Sequence, residues 1–449
     1  MTEMTLSIPP PRCSSWTAPL PVGMSPLDVI VQLVDSIPES QGCEYLVYER
    51  DDCWILATGV RARIELDRDE CRLTRAGATT VRRCGDQPAA VLAGALDEVQ
   101  HGGRNAYGWL AFEFGTPRLG LADRIHAGTP LARVMVPNSQ ILVSPSGIEV
   151  LDGDEHIAEA LAQLRMIQPD PEPSGVAVRS DPSGYCDRVA TAVAEISAGR
   201  YQKVILSRTV DIPFPVDFPA TYRLGRRHNT PARSFLLQLS GIRAAGFSPE
   251  LVTAVSSDGI VSTEPLAGTR ALGRGDEADR QARHELCTDA KEIVEHALSV
   301  RSALQDIDAV AEPGSTAVRD FMTVRERGSV QHLGSSVAAR LRASCDRVDA
   351  LAAVFPAVTA SGIPKKAGVE AITRLDQTPR GLYSGAVAMF GADGSLDAAL
   401  VLRAVYADAT GSWLRAGAGI VEASSPTREF EETCEKLGSV APYVVRRSL

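Results

Sequence analysis

A chain of 449 residues, 44% hydrophobic and 23% charged, has the length of two or three domain-sized masses and ample material for a large core. Its net charge of −10 and the lack of any Lys/Arg run with interleaved aromatics argue against a nucleic-acid binder. Nine scattered cysteines without a C-x-x-C argue against a disulfide framework, and seven histidines without an H-x-x-x-H give no support to zinc. The N-terminus lacks a signal peptide's apolar stretch and no apolar run is long enough to span a bilayer, so the expectation is a cytoplasmic protein with reduced thiols.

Residues 1–24, rich in Pro, Ser and Thr, read as a loose tail. A short helix follows over 25–34, with apolar residues at 29, 30, 33 and 34. Alternation broken by turn signals predicts several strands from Tyr45 to about Leu73, and 89–99 is helical. The stretch 107–115, YGWLAFEFG, reads as a buried strand with an embedded carboxylate, Glu113. Two strands flank the Ser146-Gly147 turn, and a helix covers 155–165.

The proline-rich stretch 166–180 is a domain boundary or a crossover loop. We favour the crossover, because 25–165 is too poor in helix to cover its own sheet faces. That makes 25–165 and 181–449 one intertwined unit. In the second part a helix over 181–198 leads into the strand 201–210, YQKVILSRTV. Strands are predicted at 233–239, 242–248, 251–255 and 259–268. A helix runs over 288–307, a strand starts at Val330, and VDALAAVFP is helical. Strands over 382–389, 398–406 and 412–419 complete the pattern.

Candidate chemistry concentrates near the C-terminus. Gly417-Ala418-Gly419 lets a backbone approach a ligand closely. A helix then starts at Ser424 or Ser425 with Pro426 in its first turn. On it Glu429, Glu432 and Lys436 form one polar stripe, while Phe430, Cys434 and Leu437 form an apolar one. The helix at 288–307 repeats the spacing with Glu292 and Glu295. Each pair alone suits an ordinary solvated helix face. Together, beside the glycines, they suit a divalent cation with an anionic ligand; magnesium takes one or two protein carboxylates and fills its octahedron with water and substrate. Lys203 either snorkels from its strand or is a desolvated amine able to act as a base. Glu250 is either a turn residue or a general acid raised by burial.

The segments YQKVILSR, GFSPELV, TEPLAGTR, KEIVEH, VQHLGS, FPAVTASGIPK, GLYSGAV, LRAGAGIV and EFEETCEKL stand in one order over 181–449. As an ordered set they resemble the chorismate-utilising enzymes: the anthranilate, aminodeoxychorismate, isochorismate and salicylate synthases. GWLAFEFG extends the likeness into the first part of the chain. The resemblance is strongest to the salicylate branch that begins mycobactin-type siderophore synthesis. It implies an α/β fold of two lobes, with two mixed or antiparallel sheets packed face to face, helices outside and a cleft between. It implies chorismate as substrate and Mg²⁺ as cofactor. Ala267 stands where aminodeoxychorismate synthases carry a nucleophilic lysine, and Lys203 stands where ammonia-using enzymes lack one.

By the same resemblance, Glu295 and Glu432 hold Mg²⁺, with Glu292 and Glu429 nearby. Gly268 and Thr269 flank the ring carboxylate. Tyr383, Arg403, the backbone of Gly417, Ala418 and Gly419, and Lys436 hold the enolpyruvyl carboxylate. Lys203 activates water for attack at C2, and Glu250 protonates the departing C4 hydroxyl. His332 either assists the loss of pyruvate or is a buried structural histidine. No glutamine amidotransferase is expected as a partner, and a monomer is the simplest assembly. Three rival readings are an enzyme that stops at isochorismate, an ammonia-using synthase, and a non-catalytic sensor of Mg²⁺ and an anionic metabolite.

Overall fold

The computed structural model describes residues 15–38, 43–153, 155–165, 169–327 and 330–448, with the side chains of residues 155, 269, 271 and 291 outside the description. Alternation is the rule that builds it. In the strand Tyr45–Arg50, Leu46 and Tyr48 point to one face and Tyr45 and Val47 to the other, and all four are buried. A strand buried on both faces needs a layer on each side. One side is a second sheet and the other is a layer of helices.

The first sheet has eleven strands among the described residues. Its centre runs Cys53–Thr58, Tyr45–Arg50, Arg233–Leu239, Ile242–Ser248, Ala404–Asp408, Gly411–Ile420 and Lys203–Ile212. The second has twelve, with Leu251–Val255, Leu396–Leu400, Ala386–Phe390, Ala106–Leu110 and Pro130–Val136 adjacent at its centre. The ladders within both sheets are antiparallel, which narrows the mixed-or-antiparallel expectation. Tyr48, Leu237 and Tyr406 of the first sheet meet Tyr107, Trp109 and Val387 of the second in the shared core. Helices Pro26–Asp35 and Phe218–Arg227 cover the first sheet. Pro88–Val99, Ala290–Asp308 and Arg347–Val354 cover the second.

The chain passes between the sheets through short connections. One is Pro249-Glu250, between Ile242–Ser248 and Leu251–Val255. Another is Val401-Leu402-Arg403, between Leu396–Leu400 and Ala404–Asp408. Ser248 stitches the two together, its hydroxyl lying 2.9 Å from the carbonyl of Glu250 and 2.6 Å from that of Leu400. The apolar run 398–406, expected as one strand, is therefore two strands in different sheets. Arg403 turns the corner with φ +51°, a conformation uncommon outside glycine.

Other expectations change in detail. Residues 1–14 of the expected tail lie outside the described residues, while Trp16–Ala18 pairs with Gly147–Asp152 at a sheet edge. The 107–115 strand ends at Leu110, and Glu113 sits in the 3-10 turn Phe112–Gly115. The 259–268 strand is interrupted at Glu264-Pro265. The stretch 169–180 carries no helix or strand and is pinned to the body, for example by Ser174 N–H donating to the carbonyl of Val444 at 2.8 Å.

Candidate active site

The C-terminal helix Pro426–Leu437 starts as its residues dictate: Ser425 accepts the backbone N–H of Arg428 and Pro426 fills the first turn. Its polar stripe faces the corresponding stripe of Ala290–Asp308 across a cavity of about 400 Å³. Glu292, Glu295, Glu429 and Glu432 all line that cavity. So do Lys203, Glu250, Gly268, His332, Tyr383, Arg403, Gly417, Gly419 and Lys436. Two predicted residues differ. The side chain of Ala418 points away into the core beneath the Tyr185–Ser197 helix, because alternation along Gly411–Ile420 sends it opposite to its glycine neighbours. The side chain of Thr269 lies outside the described residues.

Three of these four carboxylates have close cationic partners. Arg270 donates to Glu292 at 2.9 Å, Lys203 to Glu295 at 2.7 Å, and Lys436 pairs with Glu432 at 2.8 Å. Among the described residues no three His, Cys, Asp or Glu groups are gathered closely enough to hold a metal ion. The donors are nonetheless the hard oxygens a divalent cation takes, and four of them share one cavity. Donor chemistry therefore fits such an ion, and its binding requires the carboxylates to turn from their present partners.

Lys203 does not snorkel. It is 5% exposed, and its side chain crosses beside Gly419, where an added Cβ would come within 3.1 Å of Lys203 Cε. Gly417 is tighter still: a Cβ there would lie 2.5 Å from the carbonyl oxygen of Leu206 and 2.9 Å from the hydroxyl of Tyr383. Burial alone would pull the Lys436 ammonium down, but Glu432 and Glu295 hold it above the usual lysine value. It donates to the carbonyl of Gly417 at 2.9 Å.

Glu250 is buried at the sheet crossover and accepts a hydrogen bond from Thr359 Oγ1 at 2.7 Å. Burial pushes its carboxyl up to about 8, with the charge of Glu264 adding to the rise and Thr359 and Lys203 opposing it. It is a carboxyl that holds its proton near neutral pH.

His332 lies between two fixed partners. Its Nδ1 is 2.9 Å from the carbonyl of Gly268 and its Nε2 is 2.7 Å from Arg403 Nη2. A carbonyl only accepts and a guanidinium only donates, so the ring is neutral with its proton on Nδ1. Burial, reinforced by Arg403, pulls the imidazole down to about 3. This geometry suits a holding histidine. Arg403 is pulled down to about 10 by burial and by Arg327, and stays protonated at neutral pH.

Behind the cavity lies a buried charged network that spacing did not reveal. Asp376 accepts hydrogen bonds from Ser207 N–H, Ser207 Oγ, Arg380 and Arg415. Burial would raise its carboxyl, but Arg380 and Arg415 hold it below the usual range. Both guanidiniums lie over the Tyr383 ring, at 5.7 and 5.2 Å. Glu113 accepts the backbone N–H of Arg380 at 2.7 Å, and burial pushes its carboxyl up. Thr359 and Arg270 stand within motifs quoted above but carry no periodic signal of a role.

Residues 42–442 match the family of chorismate binding enzymes. Over 455 aligned residues the chain is 56% identical to the salicylate synthase of Mycolicibacterium paratuberculosis, covering all of both chains. It is 37% identical to anthranilate synthase component 1 of Haloferax volcanii over 66% of this chain and 58% of that one. Among solved structures, the menaquinone-specific isochorismate synthase from Escherichia coli shares the fold, with a TM-score of 0.72, 21% identity and coverage of 96% and 94%. Anthranilate synthase component I from Streptococcus pneumoniae gives 0.72 at 25% identity, covering 87% and 92%. With a family match over nearly its whole length and a full-length relative at this identity, the chain is an enzyme of the chorismate-utilising type and belongs to the chorismate binding enzyme family.

Proposed function

We propose that this enzyme is a salicylate synthase that converts chorismate to isochorismate and then to salicylate and pyruvate. The observation that carries the reading is that one cavity holds the amine of Lys203 and the buried carboxyl of Glu250, which burial pushes toward its protonated form. An enzyme that replaces one ring hydroxyl by another needs a base for the entering water and an acid for the leaving group. The full-length similarity to a salicylate synthase supports the second step.

In this reading Lys436 and Arg403 bind the enolpyruvyl carboxylate with Tyr383 and the glycine backbone. Gly268 and Thr269 flank the ring carboxylate. Mg²⁺, held by Glu295 and Glu432 with Glu292 and Glu429 around it, supplies charge neutralisation at the ring carboxylate. Lys203 takes a proton from water, whose oxygen bonds to C2. The C4–O bond breaks, and Glu250 gives its proton to the departing hydroxyl. The Lys203 amine can keep donating to Glu295 while its lone pair takes the proton, because a neutral amine has two N–H donors and one acceptor site. Pyruvate is then lost as the C2 hydrogen moves to the enolpyruvyl side chain, with the pocket holding the substrate folded. A base that activates water removes the need for an ammonia-supplying amidotransferase. In this reading the enzyme works as a cytoplasmic monomer, and its salicylate feeds siderophore synthesis of the mycobactin type.

The test is incubation of the purified protein with chorismate and Mg²⁺ near neutral pH, with products separated by chromatography. Salicylate plus pyruvate, lost on adding EDTA, is the expected outcome. Isochorismate alone removes the second step, and anthranilate formed only with added ammonium overturns the role of Lys203. Lys203→Gln is expected to lower isochorismate formation by about 10²-fold or more.

A further inference from the structure

Thr359 stands in the 3-10 turn Val358–Ala360, between the helices Arg347–Val354 and Lys365–Leu375. The turn is anchored on two sides. Arg380 Nη1 donates to the carbonyl of Ala360 at 2.6 Å, and the N–H of Ile205, two residues beyond Lys203, donates to the carbonyl of Ser361 at 2.8 Å. Glu250 is held as firmly through its main chain, its carbonyl accepting from Leu400 N–H at 3.1 Å and from Ser248 Oγ at 2.9 Å. The Glu250 carboxyl itself meets two neutral donors, the backbone N–H of Leu266 and the hydroxyl of Thr359. The hydroxyl of Thr359 meets it at Oε1, 2.7 Å away. Of these two donors, Thr359 is the one carried by a side chain and so open to substitution.

A hydroxyl that donates to one oxygen of a neutral carboxyl makes that oxygen the acceptor and leaves the proton on the other. We propose that Thr359 is a positioning residue for Glu250: it holds Oε1 as acceptor and confines the transferable proton to Oε2, the oxygen that meets the departing hydroxyl. This rests on the reading of Glu250 as the general acid. In that step the Oε2–H and C4–O bonds break, the proton joins the leaving oxygen as water, and no electrons change hands with an outside partner. The carboxylate left behind faces Glu264, which disfavours its charge, and Lys203, which favours it. It also keeps the hydrogen bond from Thr359, which strengthens as charge develops.

The experiment is the pH dependence of kcat/KM for chorismate loss, with Mg²⁺ present, in Thr359→Val and Thr359→Ser. Removing the donor weakens the carboxylate form. In Thr359→Val the alkaline limb is therefore expected to move up by about one pH unit and kcat at neutral pH to fall about tenfold, with KM little changed. Thr359→Ser restores both. A merely structural threonine would lower stability without moving the limb. Should Thr359→Val not fold, Thr359→Ala removes the same donor with less bulk. A profile of the valine or alanine variant that superimposes on the parent overturns the proposal. Glu250→Gln in the same assay separates the two claims. If it is inactive while Thr359→Val behaves like the parent, only the role of Thr359 falls. If Glu250→Gln is active, the acid assignment falls and Thr359 with it.

Discussion

His332 shows how a residue's neighbours can assign it more firmly than its type. Motif order gave it a choice between assisting chemistry and filling the core. The carbonyl of Gly268 on one side and the guanidinium of Arg403 on the other leave it as a spacer between two groups expected to hold the two substrate carboxylates. Its folded value of about 3 lies below the ordinary 6.5. Between those values the unfolded chain takes up a proton that the folded one refuses, so this residue lowers stability as pH falls from about 6.5 to 3. Replacing it with Asn removes that contribution. Thermal melts at pH 7 and pH 5 are expected to differ less in the variant than in the parent. KM for chorismate is expected to rise about tenfold as Arg403 loses its anchor. None of this was visible in the sequence, because a histidine tautomer depends on partners 64 and 71 residues away.

Secondary elements were readable where their pattern had one clear face. The C-terminal helix begins at the residues its cap and proline announce, and its two stripes fall as spacing requires. The helix Asp276–Thr288, with Leu286 as its buried residue, and the strand Ala317–Arg327, largely solvent-facing, offered no apolar face and were not anticipated. The break inside 398–406 was hidden for the opposite reason. Both halves are buried, so an unbroken apolar run conceals a change of sheet. Gly417 and Gly419 of the strand Gly411–Ile420 now separate into different constraints. An added methyl at position 417 meets backbone, which cannot move, whereas at 419 it meets the end of a lysine side chain, which can. Gly417→Ala is expected to destabilise the protein by about 1–3 kcal/mol. Gly419→Ala should leave the melting temperature nearly unchanged yet sharply reduce turnover by displacing Lys203. Calorimetry alongside product assays checks both outcomes.

At the scale of the molecule, the site exists because two sheets exchange strands beside it. Glu250 and Arg403 sit on adjacent crossovers, while Lys203 and the glycines come from neighbouring strands of one sheet. Asp376 ties the Lys203–Ile212 strand, through Ser207, to Arg415 and to the turn that carries Tyr383. Asp376→Asn would leave buried guanidiniums without their counter-charge. It is expected to cost about 3–5 kcal/mol in stability, read as a lowered denaturation midpoint, and to weaken chorismate binding through a loosened Tyr383.

The interleaving of early and late strands also sets a timetable. Tyr45–Arg50 pairs on one side with Cys53–Thr58, made at once, and on the other with Arg233–Leu239, made nearly two hundred residues later. Ala106–Leu110 waits longer, for Ala386–Phe390. Throughout synthesis the ribosome therefore extrudes a chain with two open strand edges flanked by apolar side chains, the form most exposed to wrong partners. Neither half of the gene encodes something that can be completed alone, and a stop codon anywhere before the last strands leaves two unfinished sheets rather than a smaller enzyme.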